Sequence, residues 1–229
     1  MEDIAENLRG VRERIARACG RAGRDPGSVT LVAVSKTKGA ADVEAAYGAG
    51  QRVFGENYVQ ELLQKLEALA HLEGIAWHFI GKLQRNKVRH LVGRVEMIES
   101  VDSARLAAEI ERRAGDLGRK VEVLVEVNVG GEATKGGSSA DEVRAVLEAV
   151  AASRWLVCRG LMAIPPVEDD PERSRRWFVM MREMRETLGG EKLLPELSMG
   201  MTGDFEAAIE EGATIVRVGT AIFGERRVP

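Results

Sequence analysis

The sequence predicts a single (β/α)8 barrel, and three observations carry that prediction. Short runs of small and β-branched apolar residues alternate with amphipathic helical segments along the whole chain. Eight such strand-like runs can be counted, enough to close a parallel barrel, and 229 residues is an ordinary length for one. No GxGxxG follows the first strand, which weakens the open, doubly wound alternative. One domain over residues 1–229 is expected, without linkers or low-complexity segments.

The chain opens with an extra N-terminal helix outside the repeat, in which Ile4, Leu8, Val11, Ile15 and Ala18 form one apolar stripe. Gly23, Asp25, Pro26 and Gly27 then make a turn. Val29 to Ser35 reads as strand one, too uniformly apolar to be half exposed, so a parallel strand covered on both faces is expected. The helical pattern of Ala41, Val43, Ala45 and Ala46 breaks at Gly48 and Gly50, before a second strand from Gln51 to Phe54. GENYVQELLQKLEALA is the next helix, Ile75 to Ile80 the third strand, and LQRNKVRHLV a further helix. Val95 to Val101 makes strand four, and Asp102 with Ser103 starts a helix that runs to about Leu117.

Strand five, Lys120 to Val129, alternates most clearly. Val121, Val123, Val125 and Val127 share one face, while Glu122, Leu124, Glu126 and Asn128 share the other, and a barrel interior near its mouth accommodates such polar groups. After the loop GGEATKGGSSA come a helix from about Asp141 to Ala152, strand six from Leu156 to Ile164, and Pro165-Pro166. Pro171 opens the helix PERSRRWFVMMREMRETL. Glu196 to Met199, a short helix from Asp204 to Glu211, and Thr214 to Val218 complete the pattern.

Composition excludes several function classes. With 36 acidic and 33 basic side chains the net charge is −3, so no general attraction to nucleic acid or anionic membrane is written into the chain. No apolar run is long enough to span a bilayer, and the N-terminus starts with acids rather than a secretory pattern. A cytoplasmic protein with neither nucleic-acid nor membrane partners is expected, and the lack of a second domain or apolar surface stripe leans to a monomer. Cys19 and Cys158 belong to no CxxC pair, and no His/Cys/Asp/Glu cluster has ligand spacing, so neither a disulfide nor a metal site is expected. The basic segment Gln84 to His90 reads as a solvated helix face or as a docking place for an anion or partner, and the sequence does not choose.

Chemistry concentrates where barrel strands end. In TLVAVSKTK a buried run stops abruptly at Ser35 and Lys36. A lysine there is either a rim residue paired with Glu56 or Glu126, or an amine that meets an electrophile; spacing leaves both open. The loops after strands seven and eight, LSMGMTGDF and VRVGTAIFG, bring Ser198, Gly200, Gly203, Gly219 and Thr220 to the positions that hold phosphate in many such barrels. Because strand one neighbours strand eight on closure, a phosphate-bearing aldehyde would suit both features, with Lys38 and Arg217 as cations that depress the pKa of an amine. Arg217 is the only charge in TIVRVG; it faces either a ligand or a barrel acid such as Glu126. His78 in WHFIG reads as an acid–base group or a satisfied core histidine.

The blocks AVSKTK, FGENYVQE, WHFIGKLQRNK, VNVGGEATKGG, GLMAI and LSMGMTGDFEAAIEEGATIVRVGTAIFG, in this order over nearly the whole chain, resemble the pyridoxal phosphate homeostasis protein family, also called YggS/PROSC. The resemblance implies a fold-type III barrel like the alanine racemase N-terminal domain, with pyridoxal 5′-phosphate (PLP) held as a Schiff base on Lys36. It also implies Asn57 beside the ring, Ser198, Thr202, Gly219 and Thr220 at the phosphate, and Arg217 facing the pyridine nitrogen. Lys38 and Lys135 match lysines linked to a second PLP site or to handing the cofactor over. The final Arg226-Arg227-Val228-Pro229 lacks the terminal lysines of some members. An arginine at the pyridine nitrogen leaves it unprotonated and makes the cofactor a poor electron sink. A racemase also needs a second base, and Tyr47 and Tyr58 are the only tyrosines. A carrier that buffers PLP and delivers it to apo-enzymes is therefore expected, with a weak amino-acid racemase and a cofactor-free phosphosugar-binding barrel as the alternatives.

Overall fold

Alternation along single strands builds the barrel. In the computed structural model, which describes residues 3–131 and 136–225, strand β5 (Val121–Val127) sends its odd-numbered valines outward to the helix layer and Leu124 into the barrel interior. The other strands, β1 (Thr30–Val34), β2 (Val53–Glu56), β3 (Ala76–Phe79), β4 (Met97–Val101), β6 (Leu156–Ala163), β7 (Glu196–Ser198) and β8 (Ile215–Val218), pair in parallel and in sequence order. The ring closes through β1 and β8, with Thr30 opposite Ile215 and Ala33 opposite Val218. The predicted (β/α)8 architecture is thus present.

Two apolar cores result. The larger lies between strands and helices; the smaller plugs the interior with Val32, Met97, Leu124, Met162 and Ile215, one residue from each of five strands. Two positions further along β4, β5 and β8 the interior turns polar, with Glu99, Glu126 and Arg217. His78 and Ser198 are also buried, on β3 and β7. The plug supports the floor of the mouth.

Helices α1 (Ile4–Arg21), α2 (Ala40–Gly48), α3 (Val59–Ala68), α4 (Ala104–Leu117), α5 (Ala140–Ala151) and α6 (Pro171–Thr187) follow the sequence signals closely. Asp3 caps α1 by accepting from the Ala5 and Glu6 N–H groups at 3.0 and 3.1 Å. Ser103 caps α4, and Pro171 occupies the first turn of α6. Short helices α7 (Gly190–Leu193), α8 (Phe205–Glu210) and α9 (Thr220–Phe223) complete the set. The extra helix α1 packs across α2, α8 and α9; Asn7 donates to the Ile222 carbonyl at 3.1 Å, and Arg14 lies 4.4 Å over the Phe205 ring.

Two expected elements differ. The second strand runs from Val53 to Glu56 rather than from Gln51 to Phe54: it takes Gly55 and Glu56 from the expected helix, and the Gln51 amide is used as a bracket that donates to the Leu31 and Val53 carbonyls, both at 2.7 Å. The segment expected as an α-helix after β3 is a 3-10 helix, Arg85–His90. Its buried anchors, Val88 and Leu91, are three residues apart, which suits a three-residue turn. Among the described residues, no helix is long and apolar enough to cross a membrane and no group of three or more His, Cys, Asp or Glu residues is placed to hold a metal.

Candidate functional site

The ends of β7, β8, β1 and β2, consecutive around the ring, bring most of the expected residues to one mouth. Lys36 stands two residues past β1 and is half-buried, in a turn closed by the Lys38 N–H donating to the Ser35 carbonyl at 3.0 Å. Thr37, next in this turn, holds a left-handed φ of 64°, which a β-branched residue adopts only under constraint. Asn57 follows β2 directly, and its side-chain oxygen is buried with no hydrogen-bond partner among the described residues. Gly81 explains how Asn57 is held: a Cβ at this glycine would come within 2.1 Å of the Asn57 carbonyl oxygen.

On the other side of the mouth, the loop after β7 bends at Gly200, with φ at 91° and a would-be Cβ 2.6 Å from the Ala208 side chain. Thr202 is half-buried in this loop, where the Met201 N–H donates to Asp204 at 2.7 Å. Gly219 begins α9 and presses on β1, since a Cβ there would lie 3.2 Å from the Val34 carbonyl. Thr220, at the first turn of α9, is exposed. Lys38 reaches α9 as well: its ammonium donates to the Phe223 and Glu225 carbonyls at 2.7 and 2.8 Å, so it caps that helix's C-terminal end. Lys135 and the Arg226–Pro229 tail lie outside the described residues.

Beneath the mouth runs a buried polar chain. His78 Nδ1 is 2.7 Å from one oxygen of Glu99, and the Ser198 hydroxyl donates to the other at 2.5 Å. Arg217 donates to the same hydroxyl and to the Ala163 carbonyl, with Glu99 3.8 Å away. Ser198, expected at a phosphate, therefore spends its hydroxyl inside the barrel. Arg217 pairs with a barrel acid, but that acid is Glu99, a residue sequence reasoning passed over. The signal was available, since Glu99 interrupts the apolar run of β4 just as Arg217 interrupts that of β8. Burial pushes the Glu99 carboxyl up, but the His78 bond and charge, Arg217 and Ser198 outweigh it and hold the group below the usual range. His78 is a satisfied core histidine.

Two other carboxylates border the site. Glu126 is pushed up to about 7 by burial and by the neighbouring Asp102, against the pull of Arg217 and Lys82. Glu56, fully buried, accepts from Lys65, from the Ser35 hydroxyl at 2.8 Å and from the Asn57 N–H at 3.2 Å. Burial raises it, and Lys65 and Ser35 offset only part of that effect. Of the two tyrosines, Tyr47 donates to the Glu73 carbonyl at 2.9 Å, and Tyr58 is 54% exposed just before α3.

Comparison with known proteins agrees with this architecture. The family described as "Alanine racemase, N-terminal domain" matches residues 3–227. The chain is 48% identical over 227 residues to the "Pyridoxal phosphate homeostasis protein" of Aquifex aeolicus (strain VF5), covering 98% of this chain and 99% of that one. The structure of PipY from Synechococcus elongatus PCC7942 with PLP bound has a TM-score of 0.85 and 39% identity, covering 96% of this chain and all 100% of that one. An alanine racemase from Clostridium difficile 630 shares the fold at a TM-score of 0.76 and 15% identity, over 100% of this chain and 58% of that one. The chain belongs to the alanine racemase N-terminal domain family and, within it, to the pyridoxal phosphate homeostasis proteins.

Proposed function

We propose that this protein binds PLP reversibly and serves cofactor homeostasis in the cytoplasm, as a monomer that buffers PLP and delivers it to apo-enzymes. In this reading Lys36 carries the Schiff base and Asn57 lies beside the ring. Thr202, Gly219 and Thr220 hold the phosphate, and Arg217 faces the pyridine nitrogen. Ser198 acts through Arg217. The observation that carries the reading is the buried, unpartnered Asn57 oxygen at the same mouth as Lys36. A buried polar side-chain atom without a partner is costly, and the Asn57 amide, which can present its N–H2 as readily as its oxygen, suits the ionised ring oxygen of PLP as a donor.

When bound, PLP supplies an aldehyde electrophile and a ring that can accept electron density. Lys36 would hold this aldehyde through its neutral amine, a linkage that releases one water on forming, regains it on release and needs neither oxidant nor reductant. A guanidinium facing the pyridine nitrogen keeps that nitrogen unprotonated and limits the ring as an electron sink. Glu99 stabilises this guanidinium and Ser198 orients it. The two cysteines, both free, suit a reducing compartment.

The protein mixed with PLP is expected to turn yellow, and borohydride to fix one adduct on the peptide holding Lys36, lost in Lys36→Ala. A colourless wild type with no fixed adduct would favour the cofactor-free barrel. With amino acids added to the holo protein, NMR is expected to show no α-proton exchange; steady exchange would make it a racemase.

A further inference from the structure

The turn that carries Lys36 has buried charge behind it that packing does not require. Lys65 is 4% exposed and Glu56 is not exposed at all, although their neighbours Phe54, Val59 and Leu62 are apolar. Removing such a pair in favour of apolar groups is often neutral or stabilising, so its presence calls for another explanation. The bonds supply one. Lys65 donates to the Ser35 carbonyl at 2.6 Å, and the Ser35 hydroxyl donates to Glu56 at 2.8 Å, so both groups hold the residue just before Lys36. The same Glu56 carboxylate receives the Asn57 N–H. On the other flank of Lys36, the Thr37 N–H donates at 2.7 Å to Glu61, which lies one helical turn before Lys65 and 3.8 Å from its ammonium. Three side chains thus converge on the residues either side of Lys36 and on Asn57, at the point where Thr37 takes its left-handed φ.

We propose that Glu56, Lys65 and Glu61 are positioning residues that hold the Lys36 turn in register with Asn57, so that the amine meets the aldehyde of a ring already seated there. This rests on the PLP reading above. None of the three touches the cofactor in this proposal; they act through the backbone of Ser35, Thr37 and Asn57. Strain at Thr37 is the local sign of such a constraint, because a threonine released from its partners returns to negative φ.

The test compares two ligands on the full chain: PLP, and pyridoxine 5′-phosphate, which has the ring and phosphate but no aldehyde. Glu56→Gln with Lys65→Met removes both buried charges at nearly constant volume, and Glu61→Ala removes the acceptor of the Thr37 N–H at a half-exposed position. Borohydride trapping on Lys36 is expected to slow by about tenfold in the double variant and about threefold in Glu61→Ala, since small misplacements of a reacting group cost rates of this order. Pyridoxine phosphate affinity, read by calorimetry, is expected to stay within about twofold in both. Unchanged trapping in Glu61→Ala, or an equal loss of both ligands, would overturn the positioning role; if the double variant does not fold, Glu61→Ala decides alone. Failure of the wild type to trap PLP at all would bring down the underlying reading as well, and it is seen before any variant is compared.

Discussion

Glu99 and Glu56 are both completely buried, yet burial leaves them in opposite states. Glu99, inside the barrel, has His78 at one oxygen and Ser198 and Arg217 at the other, and its carboxyl is held below the usual range. Glu56, outside the barrel between β2 and α3, has one cation, Lys65, which it shares with Glu61, and its carboxyl is raised. Burial opposes ionisation in both; the hydrogen bonds and positive charge gathered around each carboxylate decide which side wins. The first arrangement is a fixed charge pair, while the second keeps protonation within reach.

Substitutions that remove one partner should separate the two. The largest effect is expected for Glu99→Gln, which leaves the buried Arg217 guanidinium without its anion. Unfolding in denaturant should show a loss of about 3–5 kcal/mol with little pH dependence, because a guanidinium does not shed its proton. Lys65→Met should cost about the same at pH 8 but progressively less toward pH 4, because Glu56 can take up a proton and become neutral. Equal pH profiles for the two variants would break the comparison.

Glu126 extends it to a group whose burial outweighs the pull of Arg217 and Lys82. Its folded value of about 7 lies above the ordinary 4.5, so the stability it contributes is complete below pH 4.5 and is lost as pH rises through 7. Glu126→Gln should remove that fall and gain up to about 3 kcal/mol over wild type at pH 8, with no gain at pH 4, read as the difference of two thermal-melt series. The smallest effect on stability is expected for Gly81→Ala, about 1–3 kcal/mol from crowding the Asn57 backbone. PLP affinity should fall with it, and unchanged affinity would show that Asn57 is not needed where it stands.

The barrel was legible because period and length sufficed: β5 alternates, and the apolar runs recur at regular intervals. Lys36 and Arg217 were legible for a related reason, each being a charge at the edge of or within an apolar run. Lys65 was not, since on the sequence α3 is an ordinary amphipathic helix, and only the meeting of α3 with β1 and β2 buries this lysine. Gly81 was hidden for the same reason, as its close neighbour Asn57 belongs to a different strand end. Asn57 itself came from family resemblance alone, and the helix-capping role of Lys38 depends on α9, distant in sequence.

The irregularity in β4 has a reach beyond its own strand. Ile98 pairs with Val123 and Val101 with Val125, so Glu99 and Ser100 together stand opposite the single residue Leu124. Side chains along a strand are read in a two-letter frame, and the extra letter shifts that frame by one. Upstream, Met97 faces the plug; downstream, Val101 faces the helices and Asp102 falls on the mouth side, close enough to Glu126 to raise its pKa. Paired without the bulge, the same residues would put Val101 inside and turn Asp102 away, so a phase shift in one strand tunes the acidity of a carboxyl on the next.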